Sequence, residues 1–170
     1  MHDWWSYQRD GASQVKRLVF VAALFLAACG GGGTSSDWTS LDVQNVATGE
    51  TTAMKAVLND KPTFVTLWSV TCEPCRREMP WLQKIATENN EFDVVGIDIG
   101  DELDAINEFT SEINVTFPMY RDEMGDILAA LNVTQVPVTF AVNKDGEIVW
   151  KNLGAMTLED LQQQLAKMQA

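Results

Sequence analysis

The sequence predicts an α/β domain whose central mixed β-sheet carries helices on both faces, and three observations lead there. Residues 63–68 and 92–99 are short β-rich apolar runs, the composition of strands buried on both faces of a sheet. Around them apolar residues repeat with helical spacing, so strand and helix alternate. Residues 138–142 and 147–150, joined by Asn143-Lys144-Asp145-Gly146, read as an antiparallel hairpin, and a last helix follows.

The first element in order is a leader. Arg9, Lys16 and Arg17 precede an unbroken apolar run over residues 18–28, too short for a membrane span of about 20 residues but suited to an export signal. Its end, Leu26-Ala27-Ala28-Cys29, resembles the lipobox of bacterial lipoproteins, in which the cysteine becomes the acylated N-terminus; the plainer alternative is a cleaved signal with a chance cysteine at the cut. Residues 1–28 are thus expected to be a lipoprotein signal peptide. Residues 29–36, a lipidated Cys29 followed by Gly30-Gly31-Gly32-Gly33-Thr34-Ser35-Ser36, are expected to be an anchor and flexible tether on a lipid bilayer.

Residues 37–170 read as one domain. Leu41, Val43 and Val46 around Thr48-Gly49 mark a short strand and turn, and residues 54–58 a helical turn. After the strand at 63–68, Met79, Leu82, Ile85 and Ala86 share one helical face. Leu103, Ile106, Phe109 and Ile113 form a second stripe after the 92–99 strand, and Met124, Ile127, Leu128 and Leu131 a third. The final helix, with Leu158, Leu161, Leu165 and Met168 as its stripe, begins at the capping-box pattern Thr157-x-x-Asp160. These stripes, methionines included, read as core rather than as a cofactor or copper surface.

Composition narrows the function. The chain is 46% hydrophobic and 21% charged, with 12 Lys plus Arg against 24 Asp plus Glu and a net charge of −12. It has no basic run longer than Lys16-Arg17 or Arg76-Arg77, so nucleic acid is not an expected partner. His2 is the only histidine and lies in the leader, which removes Ser-His and Cys-His nucleophile pairs and histidine-ligated metal from the exported domain. Its only thiols are Cys72 and Cys75.

The segment Cys72-Glu73-Pro74-Cys75 follows the first strong strand and opens the first long helix. A thiol at a helix N-terminus faces unpaired N–H groups and the positive end of the helix dipole, so its thiolate is stabilised as a nucleophile. Cys75, one turn further in, is close enough to close a disulfide and more sheltered, so Cys72 attacks and Cys75 resolves. Other readings exist for a C-x-x-C. A structural zinc site would need two carboxylate ligands here, an unusual set, and a permanent structural disulfide across so short a loop would stabilise little. A Cu(I) carrier using the same two thiolates and a redox-inert binding module are the remaining alternatives. No cofactor or bound metal is expected.

Trp68, the run Cys72-Glu73-Pro74-Cys75-Arg76-Arg77-Glu78-Met79-Pro80, and Val136-Pro137-Val138-Thr139-Phe140 followed by Asp145-Gly146 occur in that order. Over residues 38–170 the chain resembles the membrane-tethered TlpA/ResA-like thiol-disulfide oxidoreductases of the thioredoxin superfamily. The resemblance implies a thioredoxin-like fold, Pro137 as a cis-proline beside the active-site disulfide, and Glu78 as the carboxylate that tunes and moves protons of the cysteine pair. Without it, Glu78 reads as an exposed helix charge paired with Arg76 or Arg77. Pro80 is expected to bend the helix just beyond the site.

Two positions depart from the family pattern. Thr66 stands where thioredoxins carry a buried Asp, which shifts proton transfer toward Glu78 or water, and Thr71 replaces the tryptophan usual before the first cysteine. Glu73 opposes ionisation of Cys72 while Arg76 and Arg77 favour it, and a less stabilised thiolate makes the protein more reducing. The expected role is a lipid-anchored reductase of the bacterial envelope with its domain facing the periplasm. It would reduce exported thiol proteins, such as apocytochrome c, and be recharged by an unidentified membrane electron donor.

Overall fold

The computed structural model describes residues 37–168 except Asp60. The expected signal peptide, Cys29 and the glycine tether lie outside the described residues.

After a short 3-10 turn at Trp38–Ser40, the order is β1 (Asp42–Asn45), β2 (Thr51–Ala53), α1 (Met54–Val57), β3 (Thr63–Trp68), α2 (Glu73–Glu88), β4 (Asp93–Asp98), α3 (Leu103–Glu112), β5 (Met119–Arg121), α4 (Asp126–Ala130), β6 (Val138–Val142), β7 (Ile148–Leu153) and α5 (Leu158–Met168). Seven strands form one sheet in the order β2-β1-β5-β4-β3-β6-β7. The pairs β3–β4 and β4–β5 are parallel, and the others are antiparallel, so the sheet is mixed as expected.

Burial follows the strand period. Every residue of β3 is buried, with Phe64 and Trp68 in one apolar cluster and Val65 and Leu67 in the other. The first cluster packs α2, α3 and α5 through Met79, Leu82, Ile85, Ile106, Phe109, Leu161 and Leu165. The second packs α1 and α4 through Met54, Val57 and Ile127. Each inward stripe therefore lands on one face of the sheet, which is how the sequence specifies which way each helix lies.

Two elements, β5 and α4, differ from the sequence expectation. The strand β5 has only Met119, Tyr120 and Arg121, too few to show a period. Helix α4 is a short helix of five residues, and Met124 is outside it and 80% exposed rather than core. Its N-terminus is instead held by the buried Asp122, whose carboxylate accepts from the Asp126, Ile127 and Leu128 amides at 2.9, 3.0 and 3.2 Å. Helix α2 continues past Pro80 to Glu88, although the proline leaves the Arg76 carbonyl without its usual donor. The capping box at α5 is present: Thr157 Oγ1 accepts from the Asp160 amide at 3.2 Å, and Asp160 Oδ2 accepts from the Thr157 amide at 2.9 Å.

Candidate active site at the start of helix α2

The core strand β3 ends at Trp68, and three loop residues lead to Cys72, which is the N-cap of α2. Cys72 Sγ accepts the Cys75 amide at 3.2 Å, the bond an N-cap serine or aspartate would make. Cys72 Sγ thus sits where the helix offers an unpaired donor and its positive dipole end, which favour a thiolate there. Pro74 occupies the first turn, where its missing N–H costs nothing. Cys72 and Cys75 are joined as a disulfide with a Cα–Cα distance of 5.2 Å. Cys72 is half-buried and Cys75 only 1% exposed, so Cys72 is the sulfur a large partner reaches.

Trp68 is fully buried and packs its ring 4.8 Å from that of Phe109 on α3. Arg76 lies over the other part of this stack, 4.5 Å from the Phe109 centroid, and its Nη1 is 3.1 Å from Glu112 Oε2. Arg77 pairs with Glu73 at 3.4 Å, one turn apart on the exposed face of α2. Both guanidiniums therefore have carboxylate partners, and the Glu73 charge is exposed and half-compensated, so each acts weakly on the thiol.

Glu78 is buried, contrary to an exposed helix charge, and pairs with neither arginine. Its Oε1 accepts from the Thr139 hydroxyl at 2.9 Å and its Oε2 from the Met156 amide at 3.1 Å. Thr66 and Thr139 face each other across β3 and β6, their hydroxyl oxygens 3.1 Å apart. A buried polar chain thus runs from Thr66 through Thr139 to Glu78. Burial pushes the Glu78 carboxyl upward, against the opposing pull of Met156 and Thr139.

The bond between Val136 and Pro137 is cis, as the resemblance implied. Antiparallel pairing of Leu67 with Val138 brings Pro137 to the end of β3 where the cysteine loop departs, and Val136 packs against the cluster that contains Cys75. Thr71 is exposed, so no aromatic side chain precedes Cys72 on this surface. Trp81, further along α2, is 41% exposed.

Residues 37–151 match the AhpC/TSA family over most of the described domain. The chain belongs to that family. It is 30% identical over 107 residues to the thiol-disulfide oxidoreductase ResA of Geobacillus kaustophilus, a match covering 62% of each chain. It is 27% identical over 167 residues to ResA of Bacillus thuringiensis, covering 89% of this chain and 96% of that one. Among solved structures, a secreted Mycobacterium tuberculosis disulfide oxidoreductase homologous to E. coli DsbE is similar, with a TM-score of 0.67 and 26% identity over 78% of this chain and 98% of that chain. The thioredoxin-like fold and the ResA-type resemblance expected from sequence are both upheld.

Sequence reasoning missed Thr139 and Met156 as partners of Glu78, because they lie 61 and 78 residues away in the chain. It also missed a second buried carboxyl in this AhpC/TSA domain. Asp98, at the end of β4, is wholly buried, and desolvation first, with Asp101 beside it, raises its pKa to about 7. A folded state that holds a proton the unfolded chain releases near its ordinary carboxylate pKa gains stability at low pH. That gain is lost as pH rises toward 7, at no more than about 1.4 kcal/mol per pH unit for each such proton. Glu78 and Asp122 shift in the same direction through burial. Urea unfolding should therefore show greater stability at about pH 5 than at about pH 7.5, and the opposite order would contradict these assignments.

Proposed function

We propose that this chain is a thiol-disulfide oxidoreductase of the ResA type that works as a reductant. The observation that carries the reading is the Cys72–Cys75 disulfide at the N-terminus of α2, with Cys72 the more accessible sulfur and Cys75 buried, three residues before the buried Glu78 on the same helix. In the reduced protein, the Cys72 thiolate attacks one sulfur of a partner disulfide, whose other sulfur leaves as a thiolate and takes a proton. The Cys75 thiol gives up its proton and attacks Cys72 Sγ, releasing the partner as a dithiol and leaving the Cys72–Cys75 disulfide. Two electrons pass to the partner, and an external dithiol must supply two more to reset the pair.

Glu78 is the group that takes the Cys75 proton, since a carboxyl raised by burial is better matched to a thiol than an ordinary one. The direction of flow rests on charge. Arg76 and Arg77 are committed to Glu112 and Glu73, so neither is free to stabilise the Cys72 thiolate, and the dithiol form is not strongly favoured. Within this reading Cys29 anchors the domain to a bilayer of the bacterial envelope, facing the periplasm, and the substrates are exported thiol proteins such as apocytochrome c.

Insulin disulfide reduction by the purified protein tests the activity. Turnover is expected with the native cysteines and is expected to be lost in the doubly substituted Cys72→Ser, Cys75→Ser protein. Turnover that survives both substitutions would overturn the reading. Tight, stoichiometric Cu(I) uptake without disulfide reduction would favour the carrier alternative.

A further inference from the structure

The loop that presents Cys72 is held by a carboxyl pair that the exchange chemistry does not use. Asp98 is the last residue of β4, in register with Trp68 on β3, directly beside the strand end from which the cysteine loop departs. Its Oδ1 accepts the Gly100 amide at 3.0 Å and the Asp101 amide at 2.7 Å. Its Oδ2 is buried and has no donor among the described residues. Asp101 Oδ2 in turn accepts the Val70 amide at 2.8 Å. Val70 is the middle residue of the loop, between Ser69, whose carbonyl accepts the Cys72 amide at 3.1 Å, and Thr71, whose hydroxyl oxygen is 3.1 Å from that of Ser69.

A bare carboxylate oxygen in a buried site without a donor is costly, whereas the protonated form turns that oxygen into a donor. The acceptor on the same turn is the Asp101 carboxylate, whose own amide sits 2.7 Å from Asp98 Oδ1. The other charged groups here are Glu102 on the same loop, and Arg121 on β5 in register with Asp98. The Arg121 guanidinium is directed to Glu102 at 3.9 Å and Glu123 at 3.5 Å, and its Nε is also buried without a partner among the described residues. Asp122 donates its amide to the Asp98 carbonyl while its carboxylate caps α4. On α3 the nearest acid in sequence, Asp104, is exposed, and β3 brings only Trp68 and no ionisable side chain.

We propose that Asp98 and Asp101 are a positioning pair for Cys72: a proton held on Asp98 bridges the two carboxyl groups, keeps Asp101 on the Val70 amide, and so sets the loop from which Cys72 attacks. Loss of that proton leaves two carboxylates side by side, and they separate and release Val70. The pair thereby makes the reactivity of Cys72 depend on pH around neutrality in addition to its own ionisation. The raised Asp98 pKa of about 7 places the transition in that range. The proposal rests on the reading of Cys72 as the attacking thiol.

The test follows alkylation of the reduced full chain by iodoacetamide, with mass spectrometry to separate labelling at Cys72 from labelling at Cys75. For the unsubstituted protein, the Cys72 rate against pH shows a transition near pH 7, about two- to tenfold in size, in addition to thiol ionisation. Asp98→Asn keeps an acceptor for Gly100 and Asp101 and supplies a permanent donor to Asp101, so it retains the low-pH rate and removes the transition. Asp101→Ala removes the transition and shifts the low-pH rate by about two- to tenfold. As a measurement that needs no variant, the Val70 amide proton shift in the oxidised full chain titrates with the same midpoint.

An Asp98→Asn profile that keeps the transition, with Cys72 labelled first, overturns the pair alone, as does a Val70 shift that is flat through neutrality. Labelling of Cys75 ahead of Cys72 overturns the underlying assignment of the attacking thiol and this proposal with it.

Discussion

Cys75→Ser is expected to accumulate a covalent mixed disulfide between Cys72 and a substrate protein, and Cys72→Ser to accumulate none. The asymmetry follows from burial and position. Cys72 is half-buried at the N-cap with the Cys75 amide on its sulfur, while Cys75 is 1% exposed and beyond the reach of a large partner. Without Cys75 the first exchange proceeds and stops, because no second thiol displaces the partner. Either substitution should reduce catalytic turnover to background, a loss of several orders of magnitude, since the two sulfurs act as a unit. Glu78→Gln should leave the first exchange unchanged and slow the release step, because it removes the carboxylate proposed to take the Cys75 proton. Non-reducing electrophoresis with mass spectrometry of the adduct reads both outcomes. Equal trapping by the two serine variants would contradict the assigned order of attack.

The second large effect is on stability. Trp68 is fully buried at the end of β3 and stacks on Phe109, which in turn supports Arg76. Trp68→Ala removes that contact and leaves a cavity between β3 and α3, an expected cost of about 3–5 kcal/mol. For a domain of this size that is a fall in Tm on the order of 10 °C or more. Trp81→Ala is the control, because that ring is 41% exposed, and its cost should be about 1 kcal/mol or less. Urea or thermal unfolding of the two variants checks the difference, and similar losses would contradict the placement of Trp68 in the core.

The contrast between these tryptophans shows what a sequence carries and what it does not. Trp68 lies in a run with strand composition, so its burial was legible, and the cysteine pair was legible because it sits where strand pattern gives way to helix pattern. The hairpin of β6 and β7 was legible from its Asn143-to-Gly146 turn. Strand β5 was not, since three residues cannot establish a period and its role is supplied by pairing with β4 and β1. Helix α4 was misjudged because its start is defined by the buried carboxylate of Asp122, four residues upstream, rather than by an apolar stripe. Met124 therefore belongs to the surface.

The site divides in the same way. Cys72, Cys75, Pro74 and Pro137 occupy positions that local chemistry and the family motif specify. The surroundings that tune them are long-range. Thr139 and Met156 reach Glu78 from β6 and from the segment after β7, and Asp101 reaches Val70 from beyond β4. No spacing rule along the chain announces such contacts, because sheet topology alone brings them together. The charges flanking the cysteines show the converse. Glu73, Arg76 and Arg77 are plain in the sequence, yet their effect was open until the pairs Arg76–Glu112 and Arg77–Glu73 were seen.

The central claim is that Cys72 and Cys75 cycle between disulfide and dithiol as a reductant. It is tested most directly by equilibrating the purified protein with thiol-disulfide buffers of graded potential, and quantifying both forms after alkylation. A single reversible two-electron transition is expected, with a midpoint on the reducing side of about −180 mV, the region of thioredoxins and glutaredoxins. A pair that does not interconvert, or a midpoint near about −120 mV as in the strongly oxidising members of the superfamily, would contradict it.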